Sequence, residues 1–392
     1  MERKLASIQR VIELFPIPGA DFIEGCRVLG WEFVVKKDEF KFGDLGVFFE
    51  IDSLLPKDKP EFAFLESKKY RIKTVRFKSQ VSQGLMLPLS AISYVDLSSY
   101  KEGDDVTELL GVVKHDPELA QERGGAKLGG GAKLGGGTKG KFPSFLKKTD
   151  EIRVQAIPGF LTRHKGKRFY YTEKCDGSSA TFFLKTKVFG DSFLYGFHKR
   201  FGYGKLARFL LPYLKRFFAF IRIFFTKKEF GVCSRNLEIK EKDSYGDVRN
   251  DFWKMARKLD LESKMRQFNM DDLCIQGELL GPGIQKNKYK LKEHELRMFN
   301  AFNILTQKYL NYDLTVEVAN KLGIKMCPIL GEFELSHSVA ELVEMSKGYS
   351  ALNKDVLREG IVVRAIKDGD DEEAGRLSFK AINPDFLLKY NE

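Results

Sequence analysis

A glycine-rich segment near the middle of the chain separates two regions of different character. The run Gly124–Gly130 is followed by a near copy of itself, Gly131–Gly137. Glycine loses more conformational freedom than other residues when it is ordered, so this density predicts a flexible Gly/Lys-rich linker over about residues 106–141. The 392 residues of the chain leave enough length on both sides for domains with cores of their own.

The first region, residues 1–105, has the pattern of a small β-barrel. Short apolar runs alternate with glycine and proline at a spacing typical of all-β domains. The clearest runs are Trp31–Val35, Gly46–Ile51, Arg71–Phe77 and Gly84–Leu89. Basic residues interleave with apolar ones around the third run, at Arg71, Lys73, Arg76 and Lys78. This predicts an OB-like domain with an exposed cationic sheet face for nucleic acid, with an ordinary solvated strand as the alternative.

The second region, residues 142–392, mixes helical and strand patterns. Apolar residues recur at helical spacing among charges in Asp251–Phe268. Short β runs are predicted at Ser179–Leu184, Leu273–Gln276, Met298–Leu305 and Ile361–Ala365. Together the two regions predict an α+β protein, in which a small barrel precedes a domain of antiparallel sheets flanked by helices.

Composition favours an intracellular protein with a polyanionic partner. The formal net charge of +12 and the pI near 9.2 suit nucleic acid or a membrane surface. The five cysteines form no Cys-x-x-Cys pair, which predicts reduced thiols without a disulfide framework or a zinc site. The N-terminus carries no apolar signal region, so the expected location is the cytoplasm or nucleus.

A basic, phenylalanine-rich stretch within about residues 195–230 is predicted to be an insertion. Phe209–Phe225 is apolar, but it is shorter than a membrane span and contains Pro212, Lys215 and Arg222. A helix packed on the domain is the simplest interpretation, while a clamp on RNA and an interfacial membrane helix remain open.

Five short motifs follow one another in the second region. The first is Lys174-Cys175-Asp176-Gly177, between two predicted β runs. The others are Ser234-Arg235-Asn236, Gln276-Gly277-Glu278, Arg358-Glu359-Gly360 and Ser378-Phe379-Lys380. A lysine acts as a nucleophile only when part of its population is unprotonated, which burial and neighbouring cations favour and carboxylates oppose. Taken alone, the first motif is also compatible with a surface turn.

The ordered set resembles the covalent nucleotidyltransferases, and most closely the ATP-dependent RNA ligases, whose catalytic domain is ATP-grasp-like. The resemblance implies that Lys174 attacks the α-phosphate of ATP and forms a lysyl-AMP adduct. It also implies that Glu173 accepts a hydrogen bond from the adenine amine and that Arg235 binds a phosphate or a ribose hydroxyl. Glu278 corresponds to the glutamate that holds the ribose, and Asp176 would act on a metal or the ribose.

Further positions follow from the same resemblance. An aromatic residue that stacks on adenine corresponds to Phe302 or Phe299, with Phe302 favoured by the sequence Phe-Asn-Ile. Glu359 corresponds to the glutamate that helps to bind the catalytic divalent ion, Mg²⁺ or Mn²⁺, together with Asp176.

The last motif departs from the family pattern. Two lysines two residues apart contact the α-phosphate in the family, whereas here Ser378 and Ile382 flank Lys380. The second cation is therefore open, with Arg235 and Lys389 as candidates.

The resemblance covers about residues 142–390, and more loosely 1–105. It implies a monomeric adenylyltransferase that seals 3′-hydroxyl and 5′-phosphate RNA ends, with nicks in duplexes as the favoured substrate. A capping guanylyltransferase, a DNA ligase and a non-catalytic RNA-binding protein on a ligase scaffold are the alternatives.

Overall fold

The computed structural model describes residues 3–115, 137–188, 226–242, 245–248, 250–268 and 272–391. The central part of the predicted linker and the apolar stretch Phe209–Phe225 lie outside these residues. The described chain forms an N-terminal all-β domain followed by a larger domain of two sheets and six α-helices.

Short antiparallel strands build the N-terminal domain around one core. They are β1 (Ala6–Arg10), β2 (Glu13–Pro16), β3 (Ile23–Val28), β4 (Trp31–Lys36), β5 (Leu45–Phe49), β6 (Ser53–Leu54), β7 (Val75–Phe77), β8 (Gln80–Ser82), β9 (Leu85–Pro88) and β10 (Val113–Lys114). They pair in the orders β1-β5-β9 and β2-β3-β4, with the ribbons β6-β10 and β7-β8. Side chains alternate along β4, so Trp31, Phe33 and Val35 enter the core.

Two sheets form the C-terminal domain. Its strands are β11 (Thr138–Lys141), β12 (Arg168–Glu173), β13 (Ser178–Val188), β14 (Thr226–Cys233), β15 (Leu237–Ile239), β16 (Leu273–Leu280), β17 (Glu295–Asn303), β18 (Lys308–Tyr309), β19 (Lys325–Met326), β20 (Ile329–Glu334), β21 (Gly360–Ala365) and β22 (Ser378–Ile382). The larger sheet has the order β11-β15-β14-β13-β16-β17-β18, and the smaller one β20-β12-β21-β22. The chain crosses from the smaller sheet to the larger between β12 and β13.

The helices lie against these sheets. They are α1 (Pro158–Arg163), α2 (Asp251–Lys258), α3 (Leu261–Arg266), α4 (Tyr312–Leu322), α5 (Val339–Ser346) and α6 (Pro384–Tyr390). The helical pattern predicted for Asp251–Phe268 forms two helices, because Asp260 takes a left-handed φ of 49° between them. The predicted α+β fold is confirmed, and the strands pair antiparallel except that β19 runs parallel to β17. In the described part of the chain, no helix combines the length and hydropathy required to cross a membrane.

Both ends of the predicted linker are folded, which narrows its boundaries. Val106, Leu110 and Val112 are buried in the N-terminal core, and β10 pairs with β6. At the other end, β11 pairs with β15 of the larger sheet. The linker prediction is thereby limited to residues 116–136, outside the described chain.

The predicted cationic sheet face does not form as expected. Only Val75–Phe77 of the basic run is a strand. Arg71 instead donates to Asp52 at 2.7 Å, and Lys73 donates to the backbone carbonyl of Asn391 at 2.9 Å. Arg76 lies 3.1 Å from Asp385. These cations therefore hold the domain together and attach it to the C-terminal helix.

Helix α6 packs between the two domains. Phe386 and Leu387 belong to the same buried cluster as the N-terminal core. Elsewhere along the interface, the N–H of Gly30 donates to the carbonyl of Gln155 at 2.9 Å. The N-terminal domain thus packs directly on the segment that precedes β12.

Candidate active site

Lys174 directly follows β12, where the chain leaves the smaller sheet. Its backbone N–H donates to the carbonyl of Gly360 on the neighbouring strand β21 at 2.9 Å. This places Lys174 beside Glu359, the residue before β21, and Nζ of Lys174 donates to Oε1 of Glu359 at 2.6 Å. Strand pairing therefore brings together the two residues that most define the first and fourth motifs.

Glu278 reaches the same place from the larger sheet. It lies on β16 opposite Ser179 of β13, and its Oε1 accepts from the N–H of Gly177 at 3.1 Å. A Cβ at Gly177 would lie 2.5 Å from the carbonyl oxygen of Leu279, so no side chain fits there. The glycine of the lysine motif thus lets the loop after Lys174 lie against β16.

Three carboxylates set the electrostatics around Lys174. Burial favours a lower pKa for the Lys174 amine, but Glu359, Glu278 and Asp176 together raise that pKa above its ordinary value. Burial raises the pKa of Glu278 to about 8, although the charge of Lys174 acts in the opposite direction. The neighbouring carboxylates therefore favour the protonated form of the Lys174 amine.

Asp176 is held from two directions by consecutive residues of one loop. Its backbone N–H donates to the hydroxyl of Tyr289 at 2.8 Å. Its carboxylate forms an ion pair with the ammonium of Lys288, and both side chains are largely shielded from solvent. Lys288 belongs to none of the sequence motifs, and nothing in the local sequence distinguishes it from other lysines.

Glu173 is buried beside the candidate nucleophile. Its Oε2 accepts from the N–H of Ala351 at 2.7 Å, and burial raises the pKa of its carboxyl. Within the described chain, Oε1 of Glu173 has no hydrogen-bond partner. A buried acceptor without a donor is costly, so this atom is suited to a donor from a bound molecule.

The two phenylalanines considered for adenine stacking lie in different clusters. Phe302 is fully buried, with the ring of Tyr309 at 5.1 Å and the ammonium of Lys147 5.6 Å from its centroid. Phe299 packs in one cluster with Cys175, the residue after the candidate nucleophile, and is 9% exposed. Of the two rings, Phe299 shares a cluster with the residue that follows Lys174, and the stacking role of either ring stays a prediction.

Three cations from separate parts of the chain converge on Asp150. Nη2 of Arg235 lies 2.8 Å from both carboxylate oxygens, Nζ of Lys114 lies 2.6 Å from Oδ2, and Nζ of Lys380 lies 4.0 Å from Oδ1. Against the effect of burial, these cations hold the pKa of Asp150 well below its usual range. We refer to Lys114, Arg235 and Lys380 as the cation cluster. Such an arrangement is suited to phosphate oxygens.

The cation cluster contains one of the two candidates for the second cation of the fifth motif, and that role stays a prediction. Arg235, one of the two candidates, joins Lys380, whereas Lys389 lies near the ring of Tyr390 at 5.6 Å. Lys114 was missed, because it follows the N-terminal core and belongs to no motif. Burial lowers the pKa of Lys380 to about 7, against the attraction of the nearby carboxylate.

The carboxylates fit a divalent ion that is bound mainly through water and phosphate oxygens. Among the described residues, no group of three or more His, Cys, Asp or Glu side chains could hold a metal ion. Glu359, however, has a buried oxygen, Oε2, with no hydrogen-bond partner in the described chain. Mg²⁺ commonly uses one or two carboxylates and completes its shell with water and substrate phosphate, so Glu359 and Asp176 fit such an ion.

Comparison with known proteins gives matches to both domains. A family model described as RNA ligase matches residues 167–382, and one described as an OB-fold domain matches residues 5–89. A comparison with curated proteins finds no match. The predicted N-terminal OB-type domain is confirmed.

Solved structures of the RNA ligase of Naegleria gruberi are similar over nearly the whole chain. A variant with AMP and manganese has a TM-score of 0.77 and 32% identity, covering 99% of each chain. A variant with ATP and manganese has the same TM-score, identity and coverage. The enzyme with pyrophosphate has a TM-score of 0.76 and 32% identity, covering 100% of this chain and 99% of the other.

The resemblance inferred from the five motifs is therefore confirmed. Because the family model matches more than half of the residues and the Naegleria structures match nearly all of them, this chain belongs to the RNA ligase family.

Proposed function

We propose that this protein is an ATP-dependent RNA ligase that joins a 3′-hydroxyl to a 5′-phosphate. Lys174 attacks the α-phosphorus of ATP, forms a phosphorus–nitrogen bond and releases pyrophosphate. The AMP then passes to the 5′-phosphate of an RNA, and the 3′-hydroxyl finally displaces it. The observation that carries this proposal is the position of Lys174 against Glu359, with Lys380 of the cation cluster on the adjoining strand β22.

In this proposal Glu173, Phe299 and Glu278 bind the nucleoside. The unpaired Oε1 of Glu173 can accept a hydrogen bond from the exocyclic amine of adenine, whereas the carbonyl oxygen of guanine offers no hydrogen there. Phe299 supplies an aromatic ring in the cluster beside the nucleophile. Glu278 is a buried-pocket carboxylate that suits a ribose hydroxyl. These contacts support ATP over GTP.

Glu359 and Asp176 would hold Mg²⁺ or Mn²⁺ together with water and phosphate oxygens. When bound, the ion stabilises the negative charge that develops on the transferred phosphate. Lys174 becomes a nucleophile only after its ammonium loses a proton. That loss becomes easier when the ammonium no longer has to balance the negative charges of Glu359 and Glu278.

Replacing Lys114 tests the cation cluster. We expect Lys114→Met to slow transfer of AMP to an RNA 5′-phosphate by about tenfold, because one charge-assisted contact to phosphate is lost. The rate is measured in single turnover with preformed lysyl-AMP enzyme. The matched control is Lys4→Met, which removes an N-terminal lysine that donates to the carbonyl of Gly103. Equal rates for Lys114→Met and the control would contradict a role in phosphate binding.

We propose nicks in duplexes as the favoured substrate, held partly by the N-terminal domain. The net charge of +12 suits a duplex, and Lys114 at the end of that domain belongs to the cation cluster. The test compares sealing of a nicked duplex with joining of the same strands unannealed. Faster sealing of the nick supports the proposal, and equal rates contradict it.

The same assays separate the alternative functions. Labelling by GTP instead of ATP would indicate a capping enzyme. Sealing that is indifferent to ribose or deoxyribose at the 3′-hydroxyl end would indicate a DNA ligase. A protein that binds RNA but takes neither nucleotide would be a non-catalytic binding protein.

We also propose domain limits and a cellular context. The OB-type domain extends over residues 3–115 and the adenylyltransferase domain over 137–391, and the enzyme acts as a monomer. All five cysteines are free and buried, which supports a reducing location in the cytoplasm or nucleus.

A further inference from the structure

Lys288 lies between the candidate metal-binding carboxylate and the C-terminal helix. Its ammonium forms an ion pair with Asp176 on one side. On the other side it lies 4.9 Å from the ring centroid of Phe386 and 4.7 Å from that of Tyr390, one helical turn apart on α6. The side chain is 8% exposed. One amine therefore contacts both the carboxylate and two aromatic rings in a site largely closed to water.

The backbone that carries Lys288 is strained. Gln285, Lys286 and Asn287 have consecutive φ values of 44°, 58° and 47°, in the left-handed region that non-glycine residues avoid. Both flanks are fixed, because Ile284 is buried in the core under the larger sheet and Tyr289 is buried beside Cys175. Strain of this kind persists only where surrounding contacts enforce it, and it is concentrated at functional sites.

The rings that contact Lys288 are anchored on the N-terminal domain. Phe386 is part of the N-terminal core cluster, and the neighbouring Asp385 pairs with Arg76 at 3.1 Å. At the end of the helix, the carbonyl of Asn391 accepts from Lys73 at 2.9 Å. A continuous set of contacts thus leads from the OB-type domain through α6 and Lys288 to Asp176.

A buried lysine at this position is not explained by packing alone. Burying an ion pair costs desolvation, and an apolar side chain of similar volume often packs at least as well. The ammonium of Lys288 acts on the carboxylate of Asp176, and the orientation of that carboxylate decides how a divalent ion is held. The same ammonium places a positive charge close to the site where the ion would bind.

We propose that Lys288 is a positioning residue for nucleotidyl transfer, holding Asp176 in place and competing with the divalent cation for its carboxylate. This inference rests on the proposed function, since it assumes that Lys174 is adenylylated. Lys288 then has two opposing effects: it orients Asp176 for reaction, and it weakens binding of the free ion.

The test uses Lys288→Met, which keeps an unbranched apolar stem and removes the charge. We expect the maximal single-turnover rate of lysyl-AMP formation to fall about tenfold, while the Mn²⁺ concentration for half-maximal rate falls about fivefold. The affinity for Mn²⁺ in the absence of nucleotide should increase by a similar factor. It is measured from the electron paramagnetic resonance signal of the free ion. Lys288→Arg restores the charge and should return both quantities toward those of the unmodified protein.

The control is Lys290→Met in the same loop, where the side chain is 72% exposed and pairs with Asp355 at 3.7 Å. It should leave the rate and the metal dependence unchanged. If Lys288→Met does not fold, as judged by circular dichroism, Tyr390→Leu provides the same comparison with smaller expected shifts. The inference is overturned if a folded Lys288→Met or Tyr390→Leu protein binds the metal as the unmodified protein does. It is also overturned if such a variant forms lysyl-AMP more slowly and binds the metal more weakly. Absence of adduct in the unmodified protein would instead overturn the proposed function.

Discussion

Replacing Lys174 with alanine is expected to abolish covalent capture of AMP. With labelled ATP and Mg²⁺ or Mn²⁺, the unmodified protein should retain label after denaturation, and the variant should retain at least about a thousandfold less. The reason is that no other described lysine combines a direct contact to Glu359 with the position between the two sheets. The measurement is the labelled band on a denaturing gel, after removal of pyrophosphate from the purified protein.

The same variant should still join an RNA that already carries AMP on its 5′-phosphate. In the proposed mechanism, that last step would use the cation cluster and a 3′-hydroxyl, and it would not use the amine of Lys174. Sealing of preadenylylated RNA by Lys174→Ala therefore shows that the site is intact. If Lys174→Ala takes label from ATP as the unmodified protein does, another residue is the nucleophile.

Sequence reasoning located the residues whose positions depend on local strand geometry. The loop containing Lys174 was expected between two β runs, and it lies between β12 and β13. Gly177, the last residue of the lysine motif, is required because β16 leaves no room for a side chain. Glu359 directly precedes β21, so its motif and that of Lys174 meet through ordinary strand pairing.

The position of Phe299 could not be read from the sequence because a β-bulge interrupts the alternation of side chains. Gln276 pairs with Asn300, but the next residue of β16, Gly277, pairs with Met298. Phe299 is therefore the extra residue of β17, and its side chain does not follow the period-two pattern. Nothing in the apolar sequence around Phe302 marks this shift.

The remaining site residues depend on contacts between distant parts of the chain. Lys114 meets Asp150 only because β10 pairs with β6 of the N-terminal domain. Lys288 reaches Asp176 through a loop in which three consecutive residues, Gln285–Asn287, are left-handed without being glycine. Likewise, Arg71 resembled a nucleic-acid contact in the sequence, but its partner is Asp52. Tertiary packing, and not local pattern, decides these three positions.

Glu359→Gln is expected to slow lysyl-AMP formation by about a hundredfold or more. The amide keeps the size of the side chain, but it removes the negative charge that contacts Lys174 at 2.6 Å and the buried oxygen that fits a divalent ion. The rate is measured in single turnover over a range of Mn²⁺ concentrations, and half-saturation should move to higher concentration. The control is Glu344→Gln, where the carboxylate is 72% exposed and pairs with Lys347.

This variant also separates the role of Glu359 from that of the nucleophile. Lys174→Ala should retain sealing of preadenylylated RNA, whereas Glu359→Gln should lose much of it, because charge develops on a phosphate at the same place in every step. Two carboxylates, Glu278 and Asp176, remain beside the ammonium, so the variant should fold. If Glu359→Gln slows only the first step and leaves the Mn²⁺ dependence unchanged, Glu359 serves Lys174 alone, and Asp176 becomes the principal carboxylate for the metal.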